Sequence, residues 1–213
     1  MNILLCVTGS VAATIFPKVR SELLKYGNVK TVMTESACKI YKQAVGDFKS
    51  IPDLYTDEDE WKWYKIGDPI LHIDLRDWAD ILVVAPLTAN TLAKIANGFS
   101  DNLVTSIIRA WPMAKEDDLK PIILAPAMNT EMYNNSITHA QMNTFYNSKR
   151  FNVKLADGSW GHAAQVKFIE PVEKKLACGQ TGIGAMAAAS DIAQPVFEHL
   201  KRVDAKTVKD IIK

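Results

Sequence analysis

Ile122-Ile123-Leu124-Ala125-Pro126-Ala127-Met128-Asn129-Thr130-Glu131-Met132 decides how this chain is read. Its apolar start reads as a buried strand. Pro126 has no backbone N–H and is expected to stop the ladder there. The turn beyond it exposes an amide, Asn129, between the soft apolar side chains of Met128 and Met132. In α/β proteins ligands sit in the crevice outside the carboxyl ends of the strands, which is where this turn falls. The same pattern occurs one strand earlier, in Ile81-Leu82-Val83-Val84-Ala85-Pro86 followed by Leu87-Thr88-Ala89-Asn90-Thr91. Two strands ending in Ala-Pro, each followed by a short polar loop, predict one site shared by two loops.

Outward from these strands, periodicity predicts strands at 2–7, 29–34 and 151–155, and helices at about 12–26, 36–44, 74–79, 89–97, 101–110, 130–146 and 189–201. Residues 46–69 read as irregular, with the acidic run Asp57-Glu58-Asp59-Glu60 a solvated loop, and 156–175 has no clear pattern. Near-continuous apolar strands alternating with helices imply βαβ units and a parallel sheet covered on both faces. The expected fold class is α/β, a Rossmann-like or flavodoxin-like doubly wound sheet in a single domain of residues 1–200, with 201–213 a C-terminal tail.

Composition narrows the class of function. The chain has 213 residues and a net charge of +1. No local Lys/Arg block selects nucleic acid or an anionic membrane. No apolar run approaches the roughly 18 residues of a membrane span. The apolar run at the N-terminus is too short for a signal peptide and has no basic residue before it. Three widely spaced cysteines argue against a disulfide framework and for a reducing compartment, so the expected location is cytoplasmic. His72, His139, His162 and His199 lack paired-ligand spacing, so no metal site is expected.

Several residues have the chemistry of a site. Thr8-Gly9-Ser10 lies at the first strand-to-helix turn, where backbone N–H groups favour an anion. It lacks both G-x-G-x-x-G and Gly-Lys-Ser/Thr, so a mononucleotide phosphate fits better than a dinucleotide or ATP. Ser10 as a helix cap is the plainer account. Thr88, Asn90 and Thr91 also suit turns and caps when taken singly. His72 has apolar neighbours and is either a packed side chain or a general base. Cys178 lies in Leu176-Ala177-Cys178-Gly179-Gln180-Thr181-Gly182-Ile183-Gly184-Ala185-Met186. Its glycines suit close approach of backbone, and the thiol is either a small filler or a proton donor on a lid.

Together these pieces resemble the flavin-dependent cysteine decarboxylases, most closely the branch that acts on 4′-phosphopantothenoylcysteine in coenzyme A biosynthesis. The match runs from residue 2 to about 192. It is dense at His72-Ile73-Asp74-Leu75, Trp78-Ala79-Asp80, Ala85 to Ile95, Asp101-Asn102-Leu103, Ala125 to Met132 and Leu176 to Met186. The resemblance implies FMN as cofactor and an assembly built on homotrimers. It places FMN contacts on Gly9, Ser10, Thr34, Ser36, Thr88, Asn90, Thr91 and Ala127. It places the catalytic base on His72, the substrate carboxylate grip on Asn129 with Met132 beside it, and the proton donor on Cys178 in a flap. The implied chemistry oxidises the thiol-bearing carbon to a thioaldehyde, whose C=S takes up the electrons as carbon dioxide leaves. Hydride return and a proton from Cys178 then give 4′-phosphopantetheine.

Two departures stand out: Tyr133 replaces the usual Trp, and 156–170 looks like an insertion. Two other readings fit parts of the pattern. A non-enzymatic flavoprotein subunit that inhibits a protein phosphatase usually carries acidic or low-complexity tails, which are absent here. A prenyl-flavin synthase of similar fold would not need Asn129 and Cys178 in these contexts.

Overall fold

Ile3, Leu4, Leu5, Cys6 and Val7 are all fully buried in the computed structural model, as a strand covered on both faces must be. The structure describes residues 1–48, 50–112, 120–147, 152–154, 160–162, 166–177 and 179–211. In chain order the elements are β1 (Asn2–Val7), a 3₁₀ turn (Val11–Ile15), α1 (Phe16–Leu23), β2 (Asn28–Met33), α2 (Glu35–Ala44), β3 (Leu54–Thr56), α3 (Asp57–Glu60) and α4 (Leu71–Trp78). Then come β4 (Ile81–Leu87), α5 (Ala89–Asn97), α6 (Leu103–Ala110), β5 (Ile122–Pro126), α7 (Thr130–Asn134) and α8 (Ser136–Asn147). The chain continues through β6 (Asn152–Lys154), β7 (Trp160–His162), β8 (Val166–Phe168), β9 (Val172–Lys175), β10 (Thr181–Ala185) and α9 (Ala189–Ile211).

Among the described residues the central sheet has six strands in the order β3-β2-β1-β4-β5-β8, and each of these pairings is parallel. The chain winds outward from β1 to β3, then returns to the other side of β1 with β4. The switch point therefore lies between β1 and β4, the place where doubly wound sheets open a crevice at their carboxyl edge.

Alternation along β1 divides the core. Ile3, Leu5 and Val7 pack with Phe16, Val19, Leu23, Ile192 and Val196 on one face. Leu4 and Cys6 pack with Leu75, Leu92, Leu103 and Ile107 on the other. Burying one such Leu or Ile side chain contributes about 1.5–3 kcal/mol, so both helical layers are needed to keep the sheet dry.

Several expectations change in detail. Pro86 does not end its strand. β4 runs on to Leu87, with a register shift between Val84 and Leu87. Proline removes only a donor. The Pro86 carbonyl still accepts, from the Thr8 N–H at 3.3 Å and the Thr8 hydroxyl at 2.8 Å. The helix expected at 12–26 begins as a 3₁₀ turn. The one expected at 130–146 breaks at Asn135, whose Oδ1 accepts the Ile137 N–H at 2.9 Å and starts α8. The segment without a clear pattern supplies β8, which pairs Val166 with Ile122 and Phe168 with Leu124. The strand at 152–154 joins a separate hairpin with β7 instead of the central sheet. α9 continues past residue 200 to Ile211.

Candidate flavin site at the switch point

Thr8 ties the two central strands together where they diverge. It is fully buried, donates its hydroxyl to the Pro86 carbonyl, and accepts the Thr88 N–H at 3.0 Å. That bond fixes Thr88 as the N-cap of α5, where its Oγ1 accepts the Thr91 N–H at 3.2 Å. Thr34 does the same for α2, accepting the Ala37 N–H at 3.3 Å. Ser10 caps the 3₁₀ turn through the Ala12 N–H. Three capped N-termini thus meet at the carboxyl edge of β1, β2 and β4, each a favourable place for negative charge.

Between them lies a cavity of about 550 Å³, lined by Gly9, Thr34, Ser36, Thr88, Asn90 and Thr91, with Trp61 and Asn102 on its rim. A Cβ on Gly9 would stand 2.2 Å from Ser36 Oγ, so only glycine leaves this cradle its shape. Glu35, Asp57 and Asp101 also border the cavity, but each is already engaged. Lys39 bonds Glu35 and holds its carboxyl below the usual range. Lys94 does the same for Asp101. Asp57 is bound to two backbone N–H groups. Hydroxyls, helix N-termini and a glycine cradle suit a phosphate, and Trp61 offers an aromatic face beside it. FMN carries both a phosphate and a planar ring system, so these residues fit it.

The sequence-predicted contacts Gly9, Thr34, Ser36, Thr88, Asn90 and Thr91 therefore come together. Ser10 and Ala127 are not lining residues. Ser10 is the next residue along the chain from Gly9, while Ala127 is buried and donates its N–H to the Leu87 carbonyl at 2.9 Å, joining the two Ala-Pro loops.

Asn129 caps α7, its Oδ1 accepting the Glu131 N–H at 2.9 Å, and Met132 is half exposed on the same helix. The antiparallel β9–β10 hairpin packs on this loop. Met128 donates its N–H to the Gly184 carbonyl at 3.0 Å, and a Cβ on Gly184 would meet the Met128 carbonyl oxygen at 2.2 Å. Cys178, which falls between β9 and β10 in the sequence, lies outside the described residues.

The acidic run is not a solvated loop. Asp57, Glu58, Asp59 and Glu60 form α3, with Asp59 reaching back to the Thr56 N–H at 2.8 Å and the Thr56 hydroxyl at 3.0 Å. Burial pushes the Asp59 carboxyl up, but the bonds to Lys62 and Thr56 outweigh it and hold the group below its usual range. His72 lies within the first turn of α4 rather than before it, and is held by Glu60. It does not line the cavity. Reading for charge alone missed Asp57 and Glu60. The Thr56-x-x-Asp59 spacing, a helix-start signature, was the available signal.

The Flavoprotein family model matches residues 1–201. The chain belongs to the Flavoprotein family. Among its relatives in that family, the phosphopantothenoylcysteine decarboxylase of Arabidopsis thaliana is 45% identical over 199 residues, covering 92% of this chain and 83% of its own length. The mouse phosphopantothenoylcysteine decarboxylase is 41% identical over 204 residues, covering 92% and 85%. A solved PPC decarboxylase mutant complexed with pantothenoylaminoethenethiol superposes with a TM-score of 0.76 at 39% identity, over 94% of this chain and 98% of that one. The FMN binding protein AtHal3 superposes with a TM-score of 0.73 at 40% identity, over 94% and 97%.

Proposed function

We propose that this chain catalyses the FMN-dependent decarboxylation of 4′-phosphopantothenoylcysteine to 4′-phosphopantetheine, a step of coenzyme A biosynthesis. The observation that carries the reading is the convergence of Gly9, Thr34, Ser36, Thr88, Asn90 and Thr91 on one cavity at the sheet's switch point, in a chain 45% identical to a phosphopantothenoylcysteine decarboxylase.

Bound FMN supplies the oxidation of the thiol-bearing carbon and its later reversal. The protein's own residues do the rest. The three capped helix starts bind the flavin phosphate. His72 accepts a proton from the substrate. Asn129 grips the carboxylate, with Met132 beside it. An amide donates hydrogen bonds without the full positive charge that would stabilise the ground-state anion. Cys178 returns a proton to the product.

The assembly in this proposal is a homotrimer, with sites completed between subunits. Support comes from the apolar segment beside the cavity: Trp61 is 78% exposed, Tyr64 84% and Ile66 95%. Exposed apolar clusters of this kind mark interaction surfaces. We place the protein in the cytoplasm, a reading supported by the free thiols Cys6 and Cys38. Among the described residues no helix is long and apolar enough to cross a membrane.

The deciding experiment is mass spectrometry of the product formed when purified, FMN-loaded protein meets 4′-phosphopantothenoylcysteine. The expected product has lost carbon dioxide and is the saturated thiol. Unchanged substrate, or an ene-thiol as the end product, would overturn the proposal.

A further inference from the structure

Glu60 closes α3 and reaches across to the first turn of α4. Its two oxygens both serve one residue. Oε2 accepts the backbone N–H of His72 at 3.1 Å, and Oε1 lies 2.5 Å from the ring Nδ1. The Glu60 side chain is 14% exposed and the His72 side chain 26%. An ionised carboxylate only accepts hydrogen bonds, so this contact requires the proton to sit on Nδ1. In a neutral imidazole the other nitrogen then carries the lone pair.

The anchor is itself held. Asp59 fastens the start of α3 to Thr56, and Asp57 ties α3 to the first turns of α2 and α6. Glu60 therefore meets His72 from a short helix fixed at its other carboxylates, the kind of supporting shell that keeps a reactive side chain in one geometry. The backbone bond fixes where His72 begins, and the ring bond fixes which nitrogen is protonated.

We infer that Glu60 is a positioning residue for His72. It sets the Nδ1–H tautomer and so makes Nε2 the ring's proton acceptor. The inference rests on the reading of His72 as the base.

The test uses FMN-loaded protein labelled with ¹⁵N-histidine, at a pH where the ring is neutral. In the unmodified protein the His72 Nδ1 signal is expected to be of the protonated type and Nε2 of the unprotonated type. In Glu60→Ala the neutral ring is expected to shift toward Nε2–H. Turnover is expected to fall at least tenfold, while FMN stoichiometry and KM stay within twofold. Glu60→Gln keeps one acceptor oxygen and is expected to fall between the two in both readouts. A His72 that carries its proton on Nε2 in the unmodified protein overturns the inference without any variant. So does an Ala variant with unaltered ring signals or unaltered turnover. Full turnover in His72→Asn would instead remove the base assignment, leaving the tautomer measurement to stand separately.

Discussion

Asp57 Oδ1 accepts the backbone N–H of Leu103 at 2.8 Å, joining residues 46 positions apart. The same carboxylate accepts the Glu35 N–H through Oδ2 at 3.1 Å. One side chain thus satisfies an unpaired donor at the start of both α2 and α6, two of the helices whose N-terminal ends border the cavity. Losing a capping acceptor costs about 0.5–2 kcal/mol, and the charge at each helix start contributes about 0.3–1 kcal/mol more. Asp57→Ala is therefore expected to destabilise the protein by about 2 kcal/mol. For a domain of this size that lowers Tm by roughly 4–8 °C. Asp57→Asn keeps an acceptor and should lose less. Thermal unfolding of the FMN-free proteins checks this; equal Tm values for all three would show that the two bonds carry no stability.

Gly9→Ala tests the cavity itself. Its Cβ would stand 2.2 Å from Ser36 Oγ and 2.5 Å from Ser36 Cβ, so Ser36 and the first turn of α2 must move. FMN affinity is expected to fall at least tenfold, about 1.4 kcal/mol, with little change in the fold because the cavity edge faces solvent. Quenching of flavin fluorescence on titration reads the affinity. Unchanged binding would place the flavin elsewhere.

The parallel sheet was legible because doubly buried strands such as Ile81-Leu82-Val83-Val84 leave an apolar signature that few other structures share. The cavity was legible for a related reason, since Thr34 and Thr88 are cap residues directly after such strands. What escaped was held together by distant pairing. β8 has only Val166-Lys167-Phe168 to announce it and exists because β5 offers an open edge. The acidic run looked solvated because its four carboxylates are read locally as charge. Three of them are satisfied by Glu35, Leu103, Thr56 and His72, up to 46 positions away. Pro86 reads as a stop because its missing donor is visible in sequence, whereas the partner of its carbonyl, Thr8, is 78 positions distant.

Cys38 provides a test by pH. Burial pushes its thiol up from 9.0 to about 11, with the nearby Asp57 and Glu58 carboxylates adding to the shift. Burial pushes Cys6 the same way and further. A raised folded-state value means the folded protein keeps a proton that the unfolded chain releases. This contribution to stability is intact below pH 9.0 and is lost as pH rises toward about 11. At pH 8 both thiols are expected to react with iodoacetamide far more slowly in native protein than in urea, because the thiolate is the nucleophile. Site-resolved mass spectrometry of timed samples reads the rates. Native alkylation of Cys38 at the denatured rate would contradict the upward shift of its thiol.

Gly184→Ala tests whether substrate handling and flavin binding can be separated. Its φ is +140°, a conformation that L side chains rarely adopt, and a Cβ there would meet the Met128 carbonyl oxygen at 2.2 Å. Its carbonyl accepts the Met128 N–H, so β10 lies flush against the loop that carries Asn129. Gly184→Ala must lift the hairpin or shift that loop. The cavity residues Gly9, Thr34, Thr88 and Thr91 belong to other elements and should not feel the change. FMN content and flavin affinity are therefore expected to stay at the unmodified level, while kcat/KM for 4′-phosphopantothenoylcysteine falls at least tenfold, a loss of about 1.4 kcal/mol in transition-state stabilisation. Steady-state kinetics alongside the flavin absorbance spectrum separates the two effects. If FMN is lost along with turnover, the hairpin supports the flavin pocket; if neither changes, its contact with the Asn129 loop plays no part in catalysis.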